Sequence, residues 1–405
     1  MAPFRILSMD GGGSWALIQV KALIALFGNQ ATGHDVLSQF DLAAANSGGS
    51  IVLGCLIENF TLQQILDFFH DETQRKAVFS KTEWEDRLLY DILRIGPRYS
   101  ADVKLPALRK VLAKCGGLLL PDAVTGIRGS NSEDSIHVLM VGFDYDRNRA
   151  AFFRSRKIEG PSWGCGEQAN VTLAEAIHAS TNAPVNYFDG PAKFDDRPGR
   201  YWDGALGGWN NPVLAAVIEA IGLKQDSHNI VALSLGTGNT ALPSPQPGDP
   251  PSLYTQPPSE LGLRSDIKKL ATSILDDPPD AATFLAHVIT GCGAGMDPSV
   301  SRSRIIRMNP LVSPRRAPAG ASDRWKPPEA MTHDQFMFIL NLDMDAVEQE
   351  QVDAITQYAD LWMNDQALNQ PIRMDSQLNC ELGQDKFSAA REAWLRISSG
   401  NTGMP

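Results

Sequence analysis

The chain is poor in several things that would narrow its class. Its five cysteines, Cys55, Cys115, Cys165, Cys292 and Cys380, are scattered, odd in number and without a Cys-x-x-Cys pair, so free or buried thiols are expected rather than a disulfide framework or a zinc site. No run reaches the roughly 18 consecutive apolar residues that a membrane-spanning helix needs. Basic residues are outnumbered, 36 against 47 acidic, and the net charge of -11 sets the chain's own field against an extended phosphate-binding surface. Nucleic acid is therefore not an expected partner. Met1-Ala2-Pro3-Phe4-Arg5 lacks the basic and apolar segments of a secretory signal, which predicts a cytoplasmic protein. There is no clustered set of His, Cys or carboxylate ligands, so neither metal nor cofactor is predicted. Repeats and low-complexity tracts are absent too.

What is present is a globular composition: 43% hydrophobic and 20% charged residues exclude disordered and coiled-coil classes, and 34 glycines among 405 residues exclude a collagen-like one. At roughly 150 residues per domain the length allows two or three domains, or one large α/β domain with insertions.

Strand and helix alternate from the start. Residues 4–9 read as a strand, Gly11 to Gly13 break it, and Leu17, Val20, Ile24 and Phe27 recur at helical spacing. A second unit repeats the plan: an apolar run at 40–45, a turn Asn46-Ser47-Gly48-Gly49, and an all-round apolar helix at 51–57. Two such units in succession predict a parallel sheet covered by helices. Residues 138–143 and 150–153 flank a polar turn and read as a strand pair; 231–235 and 304–308 read as further strands. Proline-rich connections occupy 243–258 and 310–328. Ile267, Leu270, Ala271 and Ile274 trace a helical face between them, and 333–363 is mostly helical. The last 40 or so residues are polar and give no pattern.

Asp10-Gly11-Gly12-Gly13 lies between a strand and a helix, where backbone N–H groups without side chains can converge on one anionic oxygen. Two functions use that geometry. Gly11-x-Gly13-x-x-Ala16 formally fits a dinucleotide fingerprint with Asp35 as the ribose partner. The alternative is an oxyanion hole. Ser47 separates the two readings: it sits on a strand-to-helix turn with Gly48 and Gly49 after it, the setting of a nucleophile elbow, and a dinucleotide fold gives it no task.

A serine nucleophile needs a base. Among His34, His70, His137, His178, His228, His287 and His333, the order Ser47, Asp203, then His228 or His333 would suit a hydrolase triad. None of these histidines lies in a small-residue loop after a strand, however, and position 47 is early for that fold's nucleophile. Asp203-Gly204-Ala205 follows the rings of Tyr201 and Trp202, and desolvation there would raise the carboxylate's proton affinity enough to serve Ser47 directly.

These residues resemble the patatin-like phospholipase family: Asp10-Gly11-Gly12-Gly13 as oxyanion loop, Asn46-Ser47-Gly48-Gly49 as elbow and Asp203-Gly204-Ala205 as base. Supporting stretches are Ala179-Ser180-Thr181-Asn182-Ala183-Pro184 before Tyr187-Phe188, and Leu233-Ser234-Leu235-Gly236-Thr237-Gly238. The resemblance spans roughly residues 4–365. It implies a three-layer α/β/α sandwich around a mainly parallel sheet, and a Ser47–Asp203 dyad that hydrolyses acyl esters of phospholipids or glycerolipids. Gly11, Gly12, Gly13 and Gly48 would serve as oxyanion donors. It further implies peripheral membrane contact and leaves an oligomer open; Lys268 and Lys269 offer a basic patch for that contact, although a solvated helix face is the preferred reading of the pair. The family's loop ordinarily continues with Arg and Gly where this chain has Trp15 and Ala16, and Ala45 stands for the elbow's first Gly. Those departures keep a second expectation in play, a patatin-like binding or regulatory protein without catalysis. The expected organisation is a catalytic domain at 1–365 carrying an insert at 243–295, with 366–405 as a C-terminal extension.

Overall fold

The alternation expected of the first sixty residues is realised as β1 (Phe4–Met9), α1 (Leu17–Phe27), a short α2 (Gly33–Leu37), β2 (Leu42–Asn46), α3 (Ser47–Ile57) and α4 (Leu62–His70). The computed structural model describes residues 2–72, 75, 101–128, 135–156, 170–184, 189–195, 197–245, 247–248, 252–255, 279–292, 303–318, 320–321, 323–344, 346–374 and 380–399. Tyr187, Phe188, Cys165 and the predicted helical face at 267–274 with Lys268 and Lys269 lie outside the described residues. The chain continues through α5 (Ala101–Val111), β3 (His137–Asp144), β4 (Arg149–Arg154), α6 (Leu173–Ser180), β5 (Ala192–Phe194), β6 (Arg197–Asp203), α7 (Val213–Gly222), β7 (Ile230–Leu235) and β8 (Asn239–Thr240). After these come β9 (Ile305–Met308), β10 (Pro310–Val312), α8 (His333–Leu340), α9 (Gln349–Met363), β11 (Leu368–Asn369) and α10 (Phe387–Ser398).

The main sheet has the order β5-β6-β3-β2-β1-β7-β9, with β4 also on β3. Its centre is parallel: β3 on β2, β2 on β1, β1 on β7 and β7 on β9. The antiparallel members β4, β5 and β6 gather at the β3 side. Because side chains alternate along a strand, the sheet has two apolar faces and two cores. Leu7, Met9, Ala43, Ala45, Met140, Leu233 and Met308 face α1, α3 and α6. Ile6, Leu42, Ala44, Leu139, Ala232 and Ile305 face α7 and a helix at 279–287. This is the three-layer α/β/α sandwich.

One pairing detail creates the site. Along β3, residues Leu139 to Asp144 bond β4 on one edge. The opposite edge is shared. Asn46, the end of β2, pairs with Val141, and Asp203, the end of β6, pairs with Gly142. The strands run toward each other, so their last residues meet on adjacent positions of β3.

Residues 366–405, expected as an extension, contribute α10, in which Phe387, Ala390, Ala393 and Trp394 are buried. Trp394 stacks on Phe40 at a centroid distance of 5.7 Å and an interplanar angle of 13°. The last described helix therefore packs into the same core as the first units of the sheet.

Candidate active site

The turn expected at 46–49 is tighter than the sequence implied. β2 runs through Asn46 (φ -131), the helix begins with Ser47 itself, and Ser47 has φ 48. A left-handed non-glycine residue of this kind costs on the order of 1–3 kcal/mol and persists only where its surroundings impose it. Here every residue of α3 after Ser47 is buried, which anchors the elbow from behind. Ser180, at the end of α6, anchors it from the side: its Oγ accepts the Ser47 N–H at 3.0 Å and lies 2.9 Å from Ser50 Oγ.

Asp203 sits across from the elbow and is 3% exposed. One oxygen accepts from Asn46 Nδ2 at 3.0 Å and from the Ala205 N–H at 2.9 Å, and the Ser47 hydroxyl lies near enough to the same carboxylate to lower its proton affinity. Burial pushes this carboxyl above the ordinary range; the neighbouring Ser47 hydroxyl, the bonds from Ala205 and Asn46, and the charge of Lys104 pull the other way. The structure thus brings Ser47, Asn46, Asp203, Gly204 and Ala205 together.

The glycine loop lies against the elbow. A Cβ on Gly48 would come 2.5 Å from Gly13 O and one on Gly11 would come 2.8 Å from Ser47 Cβ, so the contact needs glycine at both positions. The loop's polar groups can be accounted for individually. The Asp10 N–H donates to Leu235 O at 2.9 Å, and the Asp10 carbonyl accepts from Gln19 Nε2 at 2.8 Å. Thr237 Oγ1 donates to Gly11 O at 2.6 Å. The Ser14 N–H goes to Met344 O at 3.0 Å. Gly11 departs from its expected role: its N–H donates to Asn210 O at 2.9 Å, which leaves it shaping the loop rather than pointing at a substrate oxygen. The N–H groups of Gly12, Gly13 and Gly48 have no acceptor among the described residues.

The Asp10 carboxylate is engaged in an ion pair of its own. It pairs with Arg307 at 2.6 Å, both side chains buried, and Arg307 also donates to Ser234 Oγ at 2.9 Å. Burial raises the Asp10 carboxyl and Arg307 opposes the shift. Trp15, which replaces the family's arginine, donates its Nε1–H to Asp343 O at 3.2 Å and packs beside Gly238. It thereby ties the loop to the segment after α8. On this side of the loop a cavity of about 340 Å³ is lined by Gly11, Gly12, Trp15, Thr237, Asn309 and Met344, and neither Ser47 nor Asp203 lines it.

The rival sequence readings lose their geometry. Asp35 spends its carboxylate in a capping box with Thr32, at the helix that precedes β2, whereas the position beyond the end of β2 belongs to Ser47. A dinucleotide ribose therefore has no partner there. The histidines are engaged elsewhere: His333 with Tyr254 at 2.7 Å, His287 with Ser303 at 2.8 Å, His70 with Thr356 at 3.2 Å and His34 with Ile57 O at 3.0 Å. His137 and His228 lie at the beginnings of β3 and β7, the edge of the sheet opposite Ser47. His178 is buried on α6 within the field of Lys104 and is not among the groups acting on Asp203. Among the described residues no group of three or more His, Cys, Asp or Glu is arranged around a metal position.

Sequence reasoning missed the supports. Ser180 and Thr237 stood inside stretches already singled out, but Arg307 and Lys104 gave no signal: a lone arginine on a strand or lysine on a helix ordinarily points to water.

The mainly parallel sheet thus carries Ser47 on a strand-to-helix elbow with the buried Asp203 across from it. The family model for patatin-like phospholipase matches residues 7–217, more than half of the chain, and the chain belongs to that family. Membership places it among lipid hydrolases. The chain is similar to the crystal structure of VipD from Legionella pneumophila, with TM-score 0.36 and 11% identity over 89% of this chain and 67% of that one. It is similar also to the crystal structure of the type III effector protein ExoU, with TM-score 0.25 and 11% identity over 89% of this chain and 54% of that one. The chain thus spans about two thirds of the first and about half of the second. No curated protein sequence matches it.

Proposed function

We propose that the chain is a serine lipid acyl hydrolase acting through a Ser47–Asp203 dyad. The observation that carries this reading is Ser47 held at a left-handed elbow directly after Asn46, whose amide bonds the buried Asp203 carboxylate at 3.0 Å. Asp203 accepts the Ser47 proton as Oγ attacks an ester carbonyl. The N–H groups of Gly12, Gly13 and Gly48 receive the oxyanion, an interaction whose loss at one donor costs about 10²–10³ in rate. The alcohol leaves with the proton from Asp203, and water then attacks the acyl-enzyme with Asp203 again as base, so no histidine is required.

The supporting role of Arg307 is to fix Asp10 and with it the start of the loop, through an ion pair and not through contact with substrate. Family membership supports phospholipids or glycerolipids as substrates and a peripheral approach to the membrane. No described helix is long and apolar enough to cross one. Incubation with defined phospholipids and neutral glycerides, followed by quantification of released fatty acid, tests the proposal. Wild type is expected to release fatty acid and Ser47→Ala to release none; equal release by both would exclude Ser47 as nucleophile.

A further inference from the structure

The peptide units of the glycine loop are held at different ends. In a trans peptide the carbonyl and the N–H point in opposite directions, so a bond to one fixes the direction of the other. The unit joining Asp10 to Gly11 is held at both ends: its carbonyl accepts from Gln19 Nε2 at 2.8 Å and its N–H donates to Asn210 O at 2.9 Å. The next two units are held by the carbonyl. Gly11 O accepts from Thr237 Oγ1 at 2.6 Å, and Gly12 O accepts from the Trp15 N–H at 3.1 Å. The N–H groups of these two units, on Gly12 and Gly13, have no acceptor among the described residues. The unit joining Gly13 to Ser14 is tied again, through the Ser14 N–H on Met344 O at 3.0 Å.

Gly12 O is thus held by nearby backbone, whereas Gly11 O is held by a side chain from a distant segment. Thr237 lies in the turn after β7 and is 7% exposed. Both its neighbours are pinned: the Gly236 N–H donates to Met308 O at 2.9 Å and the Gly238 N–H to Asn309 Oδ1 at 2.6 Å. Asn309 in turn donates its own N–H to Asn369 Oδ1 at 3.0 Å. The turn holds Thr237 hard against the loop, since a Cβ on Gly12 would fall 2.1 Å from Thr237 Oγ1. The hydroxyl approaches from the side of the cavity, which Thr237 lines and Ser47 does not. The elbow meets the loop at Gly11 and Gly13.

We propose that Thr237 is a positioning residue for acyl transfer: by holding the Gly11 carbonyl on the cavity side, its hydroxyl turns the Gly12 N–H toward the oxyanion that forms when Ser47 attacks. The inference rests on the Ser47–Asp203 reading above and deepens it by naming the side chain that sets one donor in advance. Thr237 itself touches no substrate. A donor already aimed at the developing charge needs no reorganisation during the reaction. Without the hydroxyl the unit joining Gly11 to Gly12 is held at neither end, and two glycines offer little resistance to its rotation.

The test compares wild type with Thr237→Val, which keeps the branched shape and removes the hydroxyl, and with Thr237→Ser, which keeps the hydroxyl. Active sites are first counted with a fluorophosphonate, so that kcat for a soluble p-nitrophenyl ester is expressed per competent site. Loss of one oxyanion donor costs about 10²–10³ in rate, and its misdirection in Thr237→Val is expected to lower kcat about tenfold or more with KM little changed. A trifluoromethyl ketone forms a hemiketal oxyanion on the serine, and its inhibition constant is expected to weaken by the same factor as kcat/KM. Thr237→Ser should stay near wild type in both. A purely structural threonine would change at most the number of competent sites, leaving kcat per site and the inhibition constant at wild-type values. That result overturns the proposal, as does a loss of kcat that the inhibitor does not share, or a Thr237→Ser as impaired as Thr237→Val. Should Thr237→Val fail to fold, the wild-type trifluoromethyl ketone adduct is crystallised. Gly12 N is expected about 2.7–3.1 Å from the oxyanion, and an oxyanion bonded by other donors alone overturns the proposal. A wild type that neither hydrolyses the ester nor reacts with the fluorophosphonate removes the dyad reading first, a failure distinct from an active enzyme in which Thr237→Val changes nothing.

Discussion

Asp203 ends its strand one register step beyond Asn46 on the same edge of β3, and Asn46 Nδ2 donates to Asp203 Oδ1 at 3.0 Å. Two strands separated by well over a hundred residues terminate against each other, and the next residue after Asn46 is Ser47. Ser47 and Asp203 are therefore placed by sheet pairing, and the mobility of a loop does not enter into their separation.

The first prediction concerns this pair. Asp203→Asn keeps the size of the side chain but removes the base, and lipid hydrolysis is expected to fall by at least about 10³ with the far-ultraviolet circular dichroism unchanged. In wild type the raised carboxyl of Asp203 sets the sign of the pH dependence. The reactive form is the ionised one, so activity should be lost as pH falls through its pKa. The acid limb should therefore lie above the ordinary aspartate value of about 3.9. A limb at or below that value contradicts the assignment.

Gly48→Ala tests the contact between elbow and loop. The new methyl would fall 2.5 Å from Gly13 O, and backbone cannot yield as a flexible side-chain tip does. Separating the loop from Ser47 should reduce kcat by about 10²–10³, comparable to loss of an oxyanion donor, with KM little changed. Steady-state kinetics on a soluble ester check this.

Arg307→Met strands the buried carboxylate of Asp10, and loss of one partner of such a pair typically costs about 3–5 kcal/mol. Urea unfolding should show a loss of that size, and Asp10→Asn combined with Arg307→Met should recover a large part of it. Equal stability of the single variant and wild type would mean that the pair does not hold the loop.

Trp394→Ala tests whether the C-terminal helix belongs to the catalytic fold. The ring stacks on Phe40 in the core, and truncations of this kind cost about 3–5 kcal/mol. A corresponding drop in unfolding free energy is expected, and a chain ending at residue 365 should be recovered in poorly folded form. Native stability of that shortened chain would make 366–405 a separable extension.

Much of this was legible in the sequence because it is local. The period-3.6 and period-2 patterns gave β1, α1, α3 and the β3–β4 pair, and small residues at a strand-to-helix turn gave the elbow. The register was not legible. That Asn46 and Asp203 share an edge of β3 follows from pairing between distant segments, which no local pattern encodes. Gly11 carried the right residue type for a donor, but only the fold shows Asn210 O taking its N–H. The helix Phe387–Ser398 escaped notice because its apolar residues Phe387, Ala390, Ala393 and Trp394 form a narrow stripe among charged neighbours. Arg307 and Lys104 are visible only once burial is known, since their sequence neighbours give no reason to place a cation inside.

The central claim, that Ser47 is a nucleophile activated by Asp203, is tested most directly by intact-mass analysis after treatment with a fluorophosphonate. Wild type should gain one adduct, mapped by peptide sequencing to Ser47, while Ser47→Ala gains none and Asp203→Asn reacts far more slowly. A folded wild type that gains no adduct, or a Ser47→Ala variant that gains one as readily, would contradict it.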